Sequence, residues 1–369
     1  MKILSVIGTR PEAVKMAPVV AALADISDLK AHVLVTAQHR QLLDQVLHLF
    51  DIAPDYDLDI MSAGQDPSDV FAHVLERIRP VLANLRPDWM LVQGDTTTVL
   101  AATLAAAYHH VPVGHVEAGL RTYDRSNPFP EELNRLLTDH AASIHFAPTE
   151  NARTALLGEG ISEETVHVTG NTVIDALQVI TMRRLPSSSA DILNRFPEKR
   201  HLILVTAHRR ENFGAPLQRI LTALLELAKR DDAHIVYPVH PNPSVDVPVR
   251  RALGGCDNIS LLPPLDYLTF AHLMKRAHLI LTDSGGIQEE APGLGVPVLV
   301  MRAVTERPEA IDAGTAALVG TRIEKIVAAT TRLLEDDDAH QQMAQAANPF
   351  GDGHAASKIV EILLRQNQD

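Results

Sequence analysis

The sequence lacks the features that mark secreted and membrane-spanning proteins. Cys256 is the single cysteine, so the chain can build neither an internal disulfide framework nor a cysteine-based zinc site, and a reducing compartment is consistent with it. No run approaches the ~18–20 apolar residues that a membrane span needs. The apolar residues 1–7 are followed by Gly8, Thr9 and Arg10, far short of a signal-peptide core. We therefore expect a cytoplasmic protein without a membrane partner.

Positive charge is also scarce. The chain has 33 basic and 46 acidic residues, a net charge of −13, whereas a nucleic-acid-binding protein shows a basic face. We therefore expect no nucleic-acid partner, and any bound phosphate must be held by local basic residues and helix ends. The first glycine turn, residues 8–13, lacks the Gly-x-Gly-x-x-Gly of nicotinamide sites. The pair His109-His110 has no Glu-x-x-His frame, so a metal site is not favoured either.

Apolar strand-like segments alternate with helical segments, which predicts parallel sheets covered by helices on both faces. The length fits two domains, and residues 185–190, Leu-Pro-Ser-Ser-Ser-Ala, are the best linker signal. We expect an α/β protein with two Rossmann-like domains that face a cleft. The predicted strands are residues 2–7, 31–36, 89–92, 111–116, 144–147, 166–169, 201–206, 235–239, 259–262, 279–282 and 296–301. The predicted helices are residues 12–24, 39–50, 70–84, 98–109, 131–138, 287–294, 323–334 and 355–365.

The segment 281–300 has the order strand end, glycine turn, helix, loop and strand. Gly285 and Gly286, after Ser284, allow the backbone to approach a ligand closely. The free N–H groups of the following helix suit a phosphate, and a carboxylate such as Glu290 can accept hydrogen bonds from a ribose diol. An ordinary βα turn is the alternative, but the acidic pair at residues 289–290 and the next strand favour a nucleotide site.

Three acidic residues stand out by position, because ligands of parallel sheets bind at the carboxyl ends of the strands. Asp95 and Glu117 end predicted strands, and Glu131 starts a helix after Phe-Pro. Carboxylates placed in this way can act as general acid or base. Asp95 could instead cap the next helix, Glu131 could favour the helix dipole, and Arg135 could pair with Glu131 one turn away.

Several basic residues could hold phosphate oxygens. Arg10 and Lys15 follow the first strand, where a solvated helix turn is an equal alternative. His208 ends the first strand of the second half and could protonate or stabilise a leaving phosphate; a polar loop is the alternative. Arg307 could reach a diphosphate or form a surface ion pair.

The combined motifs resemble those of the non-hydrolysing UDP-N-acetylglucosamine 2-epimerases over nearly the whole chain. The matching segments are Gly8-Thr-Arg-Pro-Glu-Ala13, Thr36-Ala-Gln-His-Arg40, Gln93-Gly-Asp-Thr-Thr-Thr98, Gly114-His-Val-Glu-Ala-Gly-Leu-Arg121, Pro130-Glu-Glu-Leu-Asn-Arg135, Thr169-Gly-Asn-Thr-Val-Ile-Asp175, His208-Arg-Arg-Glu211, Thr282-Asp-Ser-Gly-Gly-Ile-Gln-Glu-Glu-Ala-Pro292, Glu306-Arg-Pro-Glu309 and Asn348-Pro-Phe-Gly-Asp-Gly353.

The resemblance implies a glycosyltransferase-B-type fold with an N-terminal domain of residues 1–170 and a UDP-binding domain of residues 171–353. A C-terminal helix, residues 354–369, would pack back on the first domain. The resemblance also implies a homodimer that interconverts UDP-GlcNAc and UDP-ManNAc without nicotinamide or metal. The product would supply surface polysaccharide synthesis. The family mechanism is anti elimination of UDP to 2-acetamidoglucal followed by syn re-addition.

The resemblance also implies roles for individual residues. The acid–base set would be Asp95, Glu117 and Glu131, without deciding which one removes the C2 proton, and His208 would assist departure of UDP. The implied substrate-binding residues are Arg10, Lys15, Arg135, Leu265, Phe270, Ser284, Gly285, Gly286, Glu290 and Arg307, with Leu265 and Phe270 near uracil. Some family members bind a second, activating UDP-GlcNAc. Its candidate contacts here are Gln38, His39, Gln41, Arg209, Glu211 and His240. Gly64 stands where such members often carry arginine.

Three other functions remain as alternatives. A glycosyltransferase of the same fold would need an acceptor, a hydrolysing epimerase would release free ManNAc and UDP, and a nucleotide-sugar sensor would bind without turnover. The three carboxylates favour an enzyme over a sensor, and the complete motif set favours the non-hydrolysing epimerase over both other enzymes.

Overall fold

The computed structural model describes residues 1–36, 40–62, 64–197 and 199–366. The chain divides into two compact units. Unit 1 comprises residues 1–176 and the segment from Phe350 to the C-terminus, and unit 2 comprises Leu177–Pro349. The divisions therefore lie after residues 176 and 349, whereas the sequence-based boundaries were residues 170 and 353.

Each unit contains a parallel sheet. The strands of unit 1 are β1 (Lys2–Ile7), β2 (Lys30–Val35), β3 (Tyr56–Asp57), β4 (Trp89–Gln93), β5 (Val113–Val116), β6 (Ile144–Ala147) and β7 (Val166–Val168). The strands of unit 2 are β8 (His201–Thr206), β9 (Ala233–Pro238), β10 (Ile259–Leu262), β11 (Leu279–Thr282), β12 (Val298–Val300) and β13 (Ala316–Leu318). Over the described residues the orders are β3-β2-β1-β4-β5-β6-β7 and β10-β9-β8-β11-β12-β13.

The helices follow the strands in alternation. They are α1 (Arg10–Ala24), α2 (Arg40–Leu49), α3 (Pro67–Leu85), α4 (Thr97–Tyr108), α5 (Glu131–Ala141), α6 (Glu150–Gly158), α7 (Thr172–Met182), α8 (Ser187–Leu193), α9 (Ala215–Leu227), α10 (Pro243–Leu253), α11 (Tyr267–Arg276), α12 (Gly285–Glu290), α13 (Pro308–Asp312), α14 (Ile323–Glu335), α15 (Asp337–Ala344) and α16 (Ala355–Gln366). Within unit 1, α16 packs against α1. No helix in the described ranges is both long and apolar enough to cross a membrane.

The two cores form where the apolar strands meet the apolar faces of the helices. In unit 1, Leu4 and Val92 of the sheet pack with Val74 and Ile78 of α3. These four side chains are fully buried or nearly so, and burying one such side chain stabilises a fold by roughly 1.5–3 kcal/mol. The strands are buried on both faces and so show little alternation, as parallel strands should. The α/β class with two parallel-sheet units is confirmed.

Two local predictions were wrong, and two strands were not predicted. Residues 185–190 are not a linker, because Ser187–Leu193 forms α8, whose Ser189 is buried and accepts a hydrogen bond from Thr269 (2.8 Å). The helix expected over residues 287–294 begins at Gly285, and its second half, Ala291–Leu294, is a 3-10 turn. The strands β3 and β13 were not predicted; β3, with two residues, is too short to give a periodic signal.

The sheet order identifies where ligands should bind. In unit 1 the chain leaves β1 in one direction towards β2 and later returns to add β4 on the other side of β1. In unit 2 the strands β8, β9 and β11 repeat this arrangement. Loops at the carboxyl ends of the two strands flanking such a point diverge and leave a crevice for ligands.

Candidate active site

The turn after β1 is tightly built. A Cβ on Gly8 would lie 2.7 Å from Oγ1 of Thr98, so only glycine fits without a shift. The carboxylate of Glu12 reaches back from the first turn of α1 and accepts hydrogen bonds from Gly8 N (2.7 Å) and Thr9 Oγ1 (2.8 Å). Burial raises the pKa of Glu12 to about 7. Sequence reasoning missed Glu12 as a contributor to this turn.

Glu117 follows β5 in a left-handed backbone conformation, with φ of 65°. Such a conformation is uncommon for a residue with a side chain and typical of functional sites. The Glu117 carboxylate is buried, and both of its oxygens lie 2.6 Å from Nζ of Lys15. Gln93 at the end of β4 also donates to it. The structure thus brings together two residues that the sequence singled out, Lys15 and Glu117.

Asp95 follows β4, and its side chain does not cap α4. The cap is Thr96, whose hydroxyl accepts from Val99 N (3.3 Å). The Asp95 carboxylate instead accepts from Nε of Arg135 (2.9 Å), and its carbonyl oxygen accepts from Asn134 Nδ2 (2.9 Å). Arg135 therefore pairs with Asp95, rather than with Glu131 as the structural alternative supposed.

Arg135 also contacts Glu132, with NH1 3.0 Å from Oε2. The other oxygen of Glu132 accepts from the backbone N–H groups of Thr122 and Tyr123, both at 2.9 Å. Glu132 is buried and was missed by the sequence reasoning. It fixes the guanidinium of Arg135 and the loop that precedes α5.

Glu131 is the first residue of α5 and lines a hollow of about 300 Å³ in unit 1. The turn after β1 contributes Thr9 to this hollow, and the start of α4 contributes Thr96 and Thr97. Arg10, the first residue of α1, is half-buried. The hollow lies at the carboxyl-terminal edge of β1 and β4, where a ligand is expected.

Unit 2 has a buried carboxylate at the equivalent place, which the sequence reasoning also missed. Asp283 follows β11 and has no exposed surface. It accepts hydrogen bonds from the backbone N of His208 (3.0 Å), the backbone N of Arg209 (2.9 Å) and Nδ2 of Asn212 (2.9 Å). Its position directly after a buried strand was the available signal. Asp283 therefore fixes the loop that carries His208.

The His208 ring is partly exposed and stacks on His240, with ring centroids 5.5 Å apart. Its Nδ1 lies 3.6 Å from Asp283 Oδ1, too far for a hydrogen bond. Burial lowers the pKa of His208 below its ordinary value, and the neighbouring His240 and Arg209 act in the same direction against Asp283. A neutral imidazole near neutral pH can both take and give a proton.

Polar contacts join the Ser284 turn to the loop of Arg307. Gln288 donates to Ser284 O (3.0 Å) and accepts from Thr305 Oγ1 (2.6 Å), and that hydroxyl accepts from Arg307 N (3.1 Å). The guanidinium of Arg307 bonds the buried carboxylate of Glu289. The structure thus connects the two segments that were assigned to a diphosphate.

The residues assigned to the nucleoside lie nearby in unit 2. Glu290 ends α12 and accepts from the hydroxyl of Tyr267 on α11 (3.4 Å). A Cβ on Gly286 would lie 3.4 Å from Oε1 of Glu290, an ordinary contact distance, so the glycine turn and this carboxylate are close neighbours. Phe270 lies on α11 and Leu265 precedes it, both half-buried.

Only part of the candidate second site can be described. Gln38 and His39 lie outside the described residues, and so does the side chain of Gln41 on α2. In unit 2, Glu211 accepts from Nε of Arg302 (2.5 Å). Arg209 NH2 lies 3.9 Å from Glu306.

Known proteins match this chain over almost its entire length. The family model described as UDP-N-acetylglucosamine 2-epimerase matches residues 21–364. The enzymes of that name from Yersinia pestis and Escherichia coli K12 are 57% and 54% identical, with 98% of both chains covered in each case. The crystal structure of UDP-GlcNAc 2-epimerase from Neisseria meningitidis bound to UDP-GlcNAc is 47% identical, with a TM-score of 0.88 over 99% of this chain and 100% of that one. On these grounds, this chain belongs to the UDP-N-acetylglucosamine 2-epimerase family.

Proposed function

We propose that this protein interconverts UDP-GlcNAc and UDP-ManNAc by inverting C2 of the sugar. A base removes the C2 proton, the C1–C2 double bond forms, and the bond from C1 to the phosphate oxygen breaks, which releases UDP anti to the proton. UDP then returns to C1 of 2-acetamidoglucal, and a proton is delivered to the opposite face of C2. The bonds broken and formed balance, so the reaction needs no external oxidant or reductant.

The observation that carries the proposal is the pairing of carboxylates and cations at neighbouring strand ends of unit 1. Asp95, paired with Arg135 of α5, follows β4, and Glu117, paired with Lys15 of α1, follows the adjacent strand β5. Removal of a carbon-bound proton needs a positioned base, and return on the other face needs a second group. We assign these roles to the set Asp95, Glu117 and Glu131.

The leaving diphosphate needs donors and a proton source. In the proposal, His208 assists departure of UDP, while Arg10, Lys15, Arg135, Ser284, Gly285, Gly286 and Arg307 bind or orient the substrate. Arginine suits phosphate because its planar fork offers several fixed donors. Glu290 would bind the ribose diol, with Leu265 and Phe270 near the base. Support comes from the contacts that join Ser284 to Arg307 and hold Glu290 beside Tyr267.

The decisive experiment is proton NMR of the purified protein with UDP-GlcNAc in D₂O, without added cofactor. We expect UDP-ManNAc to form and deuterium to enter C2 of both sugars. Release of free ManNAc and UDP would instead identify a hydrolysing enzyme. If UDP-GlcNAc binds but is not converted, the remaining alternatives are a transferase that lacks its acceptor and a nucleotide-sugar sensor.

The carboxylates are tested one at a time. We expect Asp95→Asn, Glu117→Gln and Glu131→Gln each to lower kcat by about 10²-fold or more, the usual contribution of a general acid or base. Glu164→Gln, at an exposed position of the same unit, is the matched control. If one of the three variants folds and turns over at the wild-type rate, the substituted residue is excluded from the acid–base set.

Further parts of the proposal concern assembly and use of the product. We propose a homodimer, which sedimentation of the purified protein would test. We also propose that UDP-ManNAc supplies surface polysaccharide synthesis. Disruption of the gene should therefore remove ManNAc from the surface glycans of the organism that makes this protein. Activation by a second UDP-GlcNAc, through the residues assigned above, would appear as a sigmoidal dependence of rate on substrate.

A further inference from the structure

A buried histidine–aspartate pair lies beneath the two strand-end turns of unit 1. His115 is on β5 and Asp139 is on α5, and both side chains are almost completely buried. Nδ1 of His115 lies 2.6 Å from Oδ1 of Asp139. Nε2, on the opposite side of the ring, lies 2.8 Å from the carbonyl oxygen of Gly94.

Both partners of the ring can act as acceptors, and this fixes its protonation. A carbonyl oxygen accepts only, so Nε2 must carry a hydrogen. The other oxygen of Asp139 accepts from Arg121 NH2 (2.7 Å) and Gly119 N (3.2 Å), contacts that favour the ionised carboxylate. An ionised Asp139 needs a hydrogen on Nδ1 as well. The hydrogen-bond geometry therefore calls for the imidazolium form of His115.

The surrounding charges agree with this assignment. Burial alone lowers the pKa of His115, but Asp139 outweighs it and raises that pKa above its ordinary value. Burial alone raises the pKa of Asp139, but His115 and Arg121 bring it down to about 2. Glu159 pairs with Arg121, so the four charges are balanced. Nε2 of His145 on β6 donates to the backbone carbonyl oxygen of Asp139 (2.7 Å), and burial lowers the pKa of His145.

We propose that His115 is held as an imidazolium cation by Asp139, and that this buried ion pair positions the carboxylates of Asp95 and Glu117. His115 and Asp139 are positioning residues in this assignment, which rests on the proposed function. The ring holds the carbonyl oxygen of Gly94, the residue before Asp95, and Asp139 holds the N–H of Gly119, two residues after Glu117. The two clamped turns are those that carry the acid–base groups.

The glycines explain why such clamps are needed. Gly94 and Gly119 both have left-handed backbones, with φ of 83° and 85°, and glycine loses more conformational freedom on folding than other residues. A Cβ on Gly119 would lie 2.3 Å from the carbonyl oxygen of Ala152, so the turn packs too closely for any other residue. The same helix, α5, also holds Asp95 through Asn134 and Arg135. Helix α5 thus acts on both turns at once.

The protonation state is tested on the wild-type protein by ¹⁵N NMR of its histidine rings. His115 is assigned by the signal that disappears in His115→Gln. We expect both ring nitrogens to carry hydrogens at pH 7.5, whereas His145 should show one unprotonated nitrogen. An unprotonated nitrogen in the His115 ring would overturn the proposal. This measurement needs no activity, so it stands even if the wild-type protein fails to epimerise UDP-GlcNAc, which would refute the proposed function instead.

The positioning role is tested by Asp139→Asn, with His145→Gln as the matched control at a buried neighbouring position. Misplacement of acid–base groups by about 1 Å costs about 10²-fold in rate. We therefore expect Asp139→Asn to lower kcat by about that factor, with little change in KM or in the affinity for UDP. The control should keep wild-type kcat. Wild-type kcat in folded Asp139→Asn would overturn the proposal.

A pH profile separates positioning by charge from a merely structural contribution. Without the carboxylate, burial and Arg121 should hold the pKa of His115 below its ordinary value, so the ring should lose its proton as pH rises through a range below 6.5. The charged groups nearest the ring would then be Arg121 and its partner Glu159, and His145 of β6 would remain bonded to the backbone carbonyl of residue 139. The deficit of Asp139→Asn relative to wild type should therefore grow as pH rises through the range below 6.5 and stay constant above it. A deficit that does not change with pH contradicts a role for the charge, and if this variant fails to fold, the wild-type NMR experiment still decides.

Discussion

Each unit contains a histidine beside a buried aspartate, and the two pairs behave in opposite ways. In unit 1, His115 bonds Asp139 at 2.6 Å, and its ring is buried with both nitrogens occupied. In unit 2, Asp283 accepts a hydrogen bond from the backbone N of His208, whereas Nδ1 of the His208 ring lies 3.6 Å from Oδ1 of Asp283. The His208 side chain is 37% exposed. The same two residue types thus form a fixed internal clamp in one unit and an accessible ring on a fixed loop in the other.

The difference teaches that contact geometry, and not residue identity, decides the charge of a histidine. The pKa of His115 is raised, because its contacts with Asp139 outweigh burial. The pKa of His208 is lowered, because burial, His240 and Arg209 outweigh the more distant carboxylate of Asp283. A permanently charged ring suits positioning, whereas a neutral, accessible ring suits proton transfer to a substrate.

The largest effect on stability is expected from the aspartate of unit 2. Asp283→Ala leaves the backbone N–H groups of His208 and Arg209 and the amide of Asn212 without this acceptor. Each buried unsatisfied donor costs roughly 1–3 kcal/mol, so we expect a loss of about 3–5 kcal/mol in the free energy of unfolding. Equilibrium unfolding in urea measures it.

The control for this loss is Asp232→Ala in the same unit. Asp232 lies on the surface and pairs with Arg230, and exposed ion pairs contribute only ~0–1 kcal/mol. If both variants lose the same stability, Asp283 does not hold the His208 loop in the way its hydrogen bonds indicate.

The next largest effect concerns Glu12, a third buried acid. Comparison with Asp139 separates the effect of burial on a carboxyl pKa from the effect of a cationic partner. Glu12 has no cationic partner among the described residues, and burial raises its pKa from 4.5 to about 7, whereas Asp139 with two cations has a pKa of about 2. An acid whose folded pKa is raised favours the folded state most strongly below pH 4.5. Its destabilising effect develops as pH rises to about 7, and on the order of 3 kcal/mol is lost over that window.

We therefore expect Glu12→Gln to be more stable than wild type at pH 8 and to show less fall in stability between pH 5 and 8. Urea unfolding at a series of pH values measures both. The glutamine oxygen can still accept from Gly8 N, and its amide can donate to Thr9, so the turn keeps its bonds. Parallel pH profiles for the two proteins would show that Glu12 is ionised at little cost.

A somewhat smaller effect, in rate, is expected from the accessible histidine. If His208 assists departure of UDP, His208→Gln should lower kcat by about 10²-fold, equivalent to ~2.7 kcal/mol. Stability should change by no more than about 0.5 kcal/mol, since the ring is partly exposed. Steady-state kinetics and urea unfolding give the two values. Loss of stability without loss of kcat would instead make His208 a purely structural residue.

Much of this arrangement could be predicted from the sequence, because strand ends carry a local signal. Asp95, Glu117 and Ser284 directly follow apolar runs, and the structure places each at the carboxyl end of a strand. The buried partners were harder to find. Asp139 lies within α5, and nothing local indicates that it faces His115 rather than solvent, because the register between a helix and a strand is set by tertiary packing.

The misassigned linker has a similar cause. Residues 185–190 have the composition of a loop, but serine is also favoured at the start of a helix, and Ser187–Leu193 forms α8. The burial of Ser189 against Thr269 depends on a contact 80 residues away in the sequence. Local composition cannot distinguish a loop from a helix start when the deciding contact is so distant.

The last and smallest expected effect is the pH dependence of stability contributed by the two histidines. A raised folded pKa adds stability below the ordinary value of 6.5 that is lost as pH rises through the folded value, so His115 should produce a fall in stability above pH 6.5. A lowered folded pKa has the opposite sign, so His208 should produce a loss as pH drops below 6.5. Each slope is at most ~1.4 kcal/mol per pH unit. In urea unfolding from pH 5 to 9, His115→Gln should therefore reduce the fall on the alkaline side, and His208→Gln should reduce the fall on the acid side, to which His145 also contributes. If both substitutions flatten the same side of the profile, the two pairs share one electrostatic character and the contrast between the units does not hold.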